Sequence, residues 1–181
     1  MSKVLINPQP PAAEQAQVEE IFSQVEAHLG FLPDALRLYG ISPPLLQTFV
    51  GTVSYFRGGT ALPPALTTMI RYLVSAQADC RFCIDMNEGF LESMGISLEQ
   101  ARAARDDIEQ APLADKERVL LKLAVRAVDS TQVVQEAEID AARDAGWSDR
   151  DIFDAVAQAA SNRALNHVLR TFRLEQQGGL M

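Results

Sequence analysis

The chain has 181 residues, 48 % of them apolar, and a formal net charge of -8. This length favours a single domain over residues 1–181, and the apolar content is typical of a globular core and excludes a disordered chain. Nucleic acids and anionic membranes both attract basic surfaces, so the negative charge argues against either as a general partner.

The first residues and the apolar segments of the sequence indicate the cellular compartment of the protein. Residues 1–15 lack the apolar core of roughly 7–15 residues that a secretory signal needs. No uninterrupted apolar run approaches the roughly 20 residues that span a bilayer. We therefore expect a soluble cytoplasmic protein without a membrane partner. In that compartment a Cys-x-x-Cys pair indicates catalysis or metal binding rather than a structural disulfide.

Helical periodicity begins near the N-terminus. Residues 18–30 place their apolar side chains on one helical face, and Gly30 can end that helix. A loop is predicted over residues 57–60. Prolines suit the first turn of a helix, where no backbone N–H is needed, and three such sites open the following helices: Pro33, Pro43-Pro44 and Pro63-Pro64.

Capping patterns define the later helices. Ser97 with Gln100 forms a reciprocal capping pattern, and Ser148 with Asp151 forms a looser version. No stretch alternates apolar and polar residues for long enough to predict a strand, and the predicted fold class is therefore all-α. Further helices are predicted over about residues 115–128, 135–145 and 149–172.

The two cysteines of the chain, Cys80 and Cys83, lie at the start of a helix predicted over residues 80–94. Asn87 is the single polar side chain on their face, and Glu88 borders it. At helical spacing the cysteines share this face with Ile84, Asn87, Phe90, Leu91 and Met94.

Two cysteines one turn apart at a helix start are typical of redox-active pairs. The N–H groups and the dipole at this end favour a thiolate, and such motifs lower a thiol pKa from about 8.5 to roughly 3.5–7.5. A neighbouring thiol can then resolve the attacking one as an internal disulfide. The spacing alone leaves open the alternative of two small buried hydrophobic residues.

A zinc site has little support in this sequence. Structural zinc sites take four protein ligands, and the chain offers two cysteines and two histidines, His28 and His167. These histidines lie 52 residues before Cys80 and 84 residues after Cys83, without an HxxxH spacing. We therefore predict no metal and no cofactor.

Residues 67–91, TTMIRYLVSAQADCRFCIDMNEGFL, resemble the AhpD-like, carboxymuconolactone decarboxylase superfamily. In this stretch a helix and a short break precede a Cys-x-x-Cys that opens the next helix. Residues 29–46 resemble the preceding segment of the peroxidase-related branch, and residues 146–166 resemble the closing helix with its Asn-Arg pair. The resemblance implies a multi-helix AhpD-like domain that assembles as a homo-oligomer: a dimer, a trimer or a hexamer.

The resemblance also implies roles for the cysteines. The peroxidase members of the family use a glutamate, then Cys-x-x-Cys, then a histidine four residues on. Carried over, Cys83 attacks the peroxide and Cys80 resolves, although a helix-dipole argument alone prefers Cys80 as the more acidic thiol. Asn87 occupies the histidine position, and Thr68, twelve residues before Cys80, occupies the glutamate position. Neither residue can cycle a proton, a contribution worth roughly a hundred- to ten-thousand-fold in rate.

The helix before the cysteines offers auxiliary residues. Thr68 shares a helix face with Arg71, Tyr72 and Ser75. This face either looks toward the cysteines or forms an ordinary helix–helix contact, and the residues alone leave both interpretations open. In the first case Arg71 has the strongest physical argument, because a nearby cation stabilises a thiolate.

Two classes of function follow from these residues. The first is an AhpD-like Cys-x-x-Cys thiol oxidoreductase that reduces a hydroperoxide or a disulfide and is restored by an external dithiol protein. The second is an oligomeric helical binding or scaffold protein with little peroxidase turnover. A decarboxylase activity has weaker support, because that branch does not depend on a Cys-x-x-Cys. The retained thiols favour the oxidoreductase.

Overall fold

The computed structural model describes residues 4–129 and 131–180, and all regular structure in these ranges is helical. The predicted all-α class is confirmed. No helix in the described ranges combines the length and the apolar content needed to cross a membrane. The chain forms two compact units: one takes the described residues up to Gly58 with those from Leu169 onward, and the other is Gly59–Val168. The expectation of one domain over residues 1–181 stays a prediction.

The first unit contains a 3-10 helix at Ala12–Glu14. Three α-helices follow it in the chain: α1 (Gln15–Leu29), α2 (Asp34–Tyr39) and α3 (Pro43–Gly58). Its core is apolar and includes Val18, Leu36 and Leu46. The loop predicted over residues 57–60 is corrected here, because α3 continues through Gly58. A basic residue, Arg57, lies in the last turn, where it complements the negative end of the helix dipole.

The second unit contains the cysteines and the remaining helices. A 3-10 helix, Ile108–Gln110, lies between the third and fourth of these helices. They are α4 (Pro64–Gln77), α5 (Arg81–Ser93), α6 (Leu98–Asp106), α7 (Asp115–Ala127), α8 (Glu136–Asp144) and most of α9 (Asp149–Thr171).

Helix α4 is the central packing element of this unit. It contacts α5, α6 and α7, and its residues Leu66, Met69 and Ile70 are fully buried in the core. Because α4 is covered on several sides, its few polar side chains must find partners inside the protein. Those partners define the candidate site.

Local capping explains where the flanking helices begin. Ser97 and Gln100 form both bonds of the predicted capping box at the start of α6. The hydroxyl of Ser148 accepts from the Asp151 N–H at 3.2 Å, and the Asp151 carboxylate accepts from the Ser148 N–H at 3.0 Å. Both predicted caps are confirmed. Gly146, with φ of 93°, supplies the left-handed turn that follows α8.

Candidate active site around Cys80 and Cys83

A tight connection between α4 and α5 places the two cysteines. Asp79 adopts a left-handed φ of 51°, which aspartate tolerates better than most residues. The Cys80 N–H then donates to the Ser75 carbonyl at 3.0 Å. Cys80 is therefore the extended N-cap residue of α5, and the helix itself begins at Arg81, one residue later than predicted.

The two sulfur atoms lie together inside the protein. Cys80 is 1 % exposed and Cys83 is 4 % exposed. Their Sγ atoms are 2.8 Å apart, which is longer than the roughly 2.05 Å of a disulfide bond. Both residues are thiols. A small movement of the side chains is sufficient to join them.

The surroundings of Cys83 act on its pKa in opposite directions. Its hydrogen bond with Cys80 and its burial raise the pKa above the ordinary thiol value. Hydrogen bonds from Asn166 and Ser75 lower it but do not outweigh the first two causes. The helix start alone suggested a more acidic thiol. At Cys83 the adjacent second thiol and the loss of water dominate instead.

A cluster of buried polar side chains connects Cys83 to α9. Asn162 Nδ2 donates to Ser75 Oγ at 3.0 Å and to the Arg71 carbonyl at 3.1 Å. Asn166 Nδ2 donates to Ser75 Oγ at 3.2 Å, and its Oδ1 accepts from Asn162 at 3.1 Å. Ser75 and Asn166 are completely buried. The sulfur of Cys83 therefore lies beside a neutral hydrogen-bonding network.

Arg71 connects the two positions at which the family resemblance places proton-handling residues. Its Nε–H donates to Asn87 Oδ1 at 3.1 Å, and its Nη2 donates to Thr68 Oγ1 at 2.8 Å. The Nη1 atom lies 3.5 Å from Gln158 Oε1. Asn87 Nδ2 donates to the backbone carbonyl of Cys83 at 2.7 Å. In this arrangement the amide of Asn87 is held between a cation and the α5 backbone.

Tyr72 belongs to a separate buried network. Its hydroxyl donates to Glu88 at 3.1 Å, and Glu88 accepts two further bonds from Arg102 at 3.1 and 3.2 Å. Burial and the Glu88 carboxylate raise the pKa of Tyr72 to about 12. Burial alone would raise the pKa of Glu88, but hydrogen bonds from Arg102 and Tyr72 hold it below its ordinary value. Tyr72 is therefore engaged with a charged pair.

The structure thus brings together most of the residues proposed from the sequence. Ser75 bonds to Cys83, while Arg71, Thr68 and Asn87 form a connected group next to it. The α9 residues were missed. Their signal was available, because polar residues recur every fourth position along this alanine-rich helix. The two end members, Arg150 and Arg170, are exposed, and the four between them are buried: Asp154, Gln158, Asn162 and Asn166.

Metal binding finds no support in the described ranges, where no group of three histidine, cysteine, aspartate or glutamate side chains can hold an ion. A cleft of about 850 Å³ lies elsewhere in the second unit. Its walls come from α4, α6, α7 and α8, and neither cysteine lines it.

Comparison with solved structures places this arrangement among known folds. An uncharacterised peroxidase-related protein from Silicibacter sp. TM1040 matches with a TM-score of 0.84 at 20 % identity, covering 96 % of this chain and 91 % of that one. An AhpD-core, peroxidase-related protein from Ralstonia eutropha JMP134 matches with a TM-score of 0.84 at 19 % identity, covering 100 % and 99 %. This chain has the AhpD-like fold.

A further match shows one activity that occurs on the AhpD-like fold. A cysteine-to-alanine variant of the debrominase Bmp8 in complex with 2,3,4-tribromopyrrole matches the chain with a TM-score of 0.77 at 20 % identity, covering 96 % and 91 %. No protein-family model and no curated protein sequence matches the chain. At these identities the AhpD-like likeness concerns the fold, and the activity has to be argued from the site itself.

Proposed function

We propose that the chain is an AhpD-like Cys-x-x-Cys thiol oxidoreductase that reduces a hydroperoxide or a disulfide. The observation that carries this proposal is the pair of buried thiols 2.8 Å apart at the start of α5. Two thiols at this distance can store two electrons and release them by closing a disulfide. The donors beside Cys83, Ser75 and Asn166, support Cys83 as the attacking residue.

The reaction with a hydroperoxide proceeds in two steps. The Cys83 thiolate attacks the terminal peroxide oxygen, the O–O bond breaks, and the leaving alkoxide takes a proton from water to become an alcohol. Cys83 is then a sulfenic acid. The Cys80 thiol attacks this sulfur, a disulfide forms, and the sulfenic oxygen leaves as water. A disulfide substrate instead forms a mixed disulfide with Cys83, which Cys80 resolves.

Restoration of the thiols requires an external reductant. A protein dithiol attacks the Cys80–Cys83 disulfide, becomes oxidised to its own disulfide, and returns both cysteines to thiols. The proposed partners are therefore this dithiol protein and further copies of the chain in a dimer, trimer or hexamer. The cytoplasm, where thiols are kept reduced, is the compartment that suits this chemistry.

The proton chemistry of the proposed enzyme is atypical. Thr68 and Asn87 cannot take up or return a proton near neutral pH, and Arg71 holds both by hydrogen bonds. We therefore expect slow turnover with simple hydroperoxides. The alternative, an oligomeric helical binding or scaffold protein with little or no peroxidase turnover, draws its support from the same two residues.

An aryl bromide is a second substrate class, favoured by the fold match to a debrominase. In this reaction the Cys83 thiolate takes the bromine, and the aryl carbanion takes a proton from water. Cys80 then displaces bromide to form the disulfide and releases its proton. The two thiols again supply both electrons, so the same reductant closes the cycle.

The test is peroxide consumption by purified protein with several dithiol reductants, and release of bromide from 2,3,4-tribromopyrrole in parallel. We expect consumption that depends on the reductant and disappears in Cys83→Ser. Turnover that persists in Cys83→Ser would sink the thiol mechanism. Absence of turnover on every substrate class, with thiols that still cycle, favours the binding protein.

A further inference from the structure

The Ser75 hydroxyl is placed between two competing acceptors. It donates to the Arg71 carbonyl at 2.6 Å, one turn back along α4. The Ser75 carbonyl accepts from the Cys80 N–H at 3.0 Å, which places this residue at the cysteine pair, and the Ser75 side chain lowers the pKa of Cys83. A serine hydroxyl carries a single hydrogen. The bond to the carbonyl and the donated bond to the sulfur therefore exclude each other, and one must replace the other when the charge on Cys83 changes.

Asn162 makes this exchange possible without leaving a buried group unsatisfied. Its Nδ2 lies 3.1 Å from the Arg71 carbonyl, 3.0 Å from Ser75 Oγ and 3.1 Å from Asn166 Oδ1. An amide nitrogen has two hydrogens and can serve two of these three acceptors at a time. When the Ser75 hydroxyl leaves the carbonyl, Asn162 supplies the carbonyl and Asn166 Oδ1. Asn166 Nδ2 then supplies Ser75 Oγ and the sulfur.

We propose that Ser75 and Asn166 form a neutral binding site for the Cys83 thiolate, in which the Ser75 hydroxyl turns from the Arg71 carbonyl to the sulfur while Asn162 takes over the carbonyl. The inference rests on the proposed function only in treating Cys83 as the reacting thiol. In this scheme Ser75 and Asn166 donate to the reacting sulfur and are catalytic residues. Asn162 acts through them and is a positioning residue.

The charged side chains near Cys83 are bound to other partners, and stabilisation of the thiolate is assigned to neutral donors. Cys80 is the titratable side chain that faces it, and it raises the pKa of Cys83. On α4 the Arg71 guanidinium donates to Thr68 and Asn87, and on α5 the Glu88 carboxylate accepts from Tyr72 and Arg102. On α9 the neighbours are the amides. The thiolate is thus stabilised by hydrogen bonds rather than by a residue that exchanges protons.

The test measures the ionisation of Cys83 by the rate of its alkylation with iodoacetamide as a function of pH. Trypsin cleaves at Arg81 and separates Cys80, in residues 72–81, from Cys83, in residues 82–102, so each thiol is followed by mass spectrometry in the unaltered pair. At any pH below the pKa the rate follows the thiolate fraction.

Removing either donor should reduce the thiolate fraction of Cys83. We expect Ser75→Ala and Asn166→Ala each to slow its alkylation at neutral pH about tenfold, the usual consequence of losing one hydrogen bond to a charged group. The matched control is Thr67→Val. Thr67 is also a buried hydroxyl of α4 that donates one turn back, to the Pro64 carbonyl at 3.0 Å, and its loss should leave the rate unchanged.

The exchange of hydrogen bonds predicts a specific non-additivity. Asn162→Ala should also slow alkylation of Cys83, because the Arg71 carbonyl then retains the Ser75 hydroxyl. In the Ser75→Ala background the same substitution should have a clearly smaller effect. Fully additive effects, an unchanged rate in Ser75→Ala, or an equal loss in Thr67→Val would each overturn the proposal.

Two further variants guard against failure to fold, which circular dichroism detects. Ser75→Thr restores the hydroxyl and should restore most of the rate. Asn166→Asp keeps the side-chain volume but replaces the donor with a carboxylate oxygen, so it should slow alkylation more than Asn166→Ala. The assay requires no turnover. If the protein consumes no substrate but its variants show these changes in the alkylation rate of Cys83, the proposed function alone is refuted. If turnover is normal but the alkylation rates do not change, this inference alone is refuted.

Discussion

The Nε–H of Arg71 donates a hydrogen bond of 3.1 Å to Oδ1 of Asn87. The same guanidinium donates to Thr68 Oγ1 at 2.8 Å. One cation therefore joins the two positions at which the AhpD-like resemblance places a histidine and a glutamate. Both partners are neutral and lie inside the protein. Arg71 therefore orients them but exchanges no proton with either.

Replacing Arg71 by lysine should destabilise the protein. A guanidinium donates in several fixed directions, whereas an ammonium is a compact point charge that cannot reach Thr68 and Asn87 together. Leaving one buried acceptor without a partner costs about 1–3 kcal/mol, which urea unfolding measures. Arg105→Lys, at an exposed position of α6, is the control and should change little. Equal stability of Arg71→Lys and the parent would contradict the role assigned to Arg71.

Rebuilding the family's proton relay should raise peroxidase turnover. In the double variant Asn87→His, Thr68→Glu the imidazole lies one turn beyond Cys83 on the same face of α5. The introduced carboxylate meets Arg71, which offsets part of its burial cost. We expect a faster rate and a pH profile that titrates near the histidine value of about 6.5, absent from the parent. Some loss of stability is also expected.

The single variant Asn87→His serves as the control for that prediction, because it adds the base without the carboxylate. If the parent already turns over hydroperoxide at the rate of the double variant, Asn87 is not a missing base. Another residue then carries the proton.

Mild oxidation should produce an intramolecular disulfide between Cys80 and Cys83 with little change in the fold. The sulfur atoms are 2.8 Å apart, and both lie at the start of one helix. Because Arg81 separates the cysteines, the bridge joins the tryptic peptides 72–81 and 82–102, and the protein loses two hydrogens in mass. Dimers linked through Cys83 without an internal bridge would argue against this geometry.

Replacing each cysteine by serine should block the reaction at a different step. Cys83→Ser should abolish peroxidase and disulfide-reductase activity, because the attacking sulfur is gone. Cys80→Ser should allow one attack and then stall as a sulfenic acid or a mixed disulfide, which mass spectrometry detects. If Cys80→Ser alone prevents the first attack, the roles of the two thiols are reversed.

The Glu88 carboxylate should contribute stability that depends on pH. Hydrogen bonds from Arg102 and Tyr72 hold its pKa in the folded protein below the ordinary value, despite its burial. Its stabilising effect is therefore complete above the pKa of the unfolded chain, about 4.3, and is lost as the pH falls through the lower folded value.

Urea unfolding of Glu88→Gln and the parent at a series of pH values checks this. The parent should be more stable at neutral pH, and the gap should close in acid. Asp85→Asn, at an exposed position on the same helix, is the control and should change little. A gap that persists unchanged into strong acid would mean that the ionised carboxylate is not its source.

Local features of the sequence were sufficient to predict the helices and to place the two cysteines next to each other. Proline positions, serine caps and glycine stops predicted where helices begin and end to within a few residues, because these signals act through neighbouring backbone groups. The α5 face that carries Cys83 and Asn87 followed from the helical repeat alone. The one-residue shift at Cys80 arose because Asp79 takes a left-handed turn just before it.

The partners of those side chains depended on packing between helices that are distant in the sequence. Asn162 and Asn166 meet Ser75 across 87 and 91 positions of the chain. The repeat on α9 could have indicated that these amides are buried but not which sulfur they would face. The sequence by itself therefore determined the fold class and the placement of the two cysteines one turn apart. The tertiary structure decided which side chains surround the two thiols, because hydrogen bonds between helices form only when both surfaces pack together.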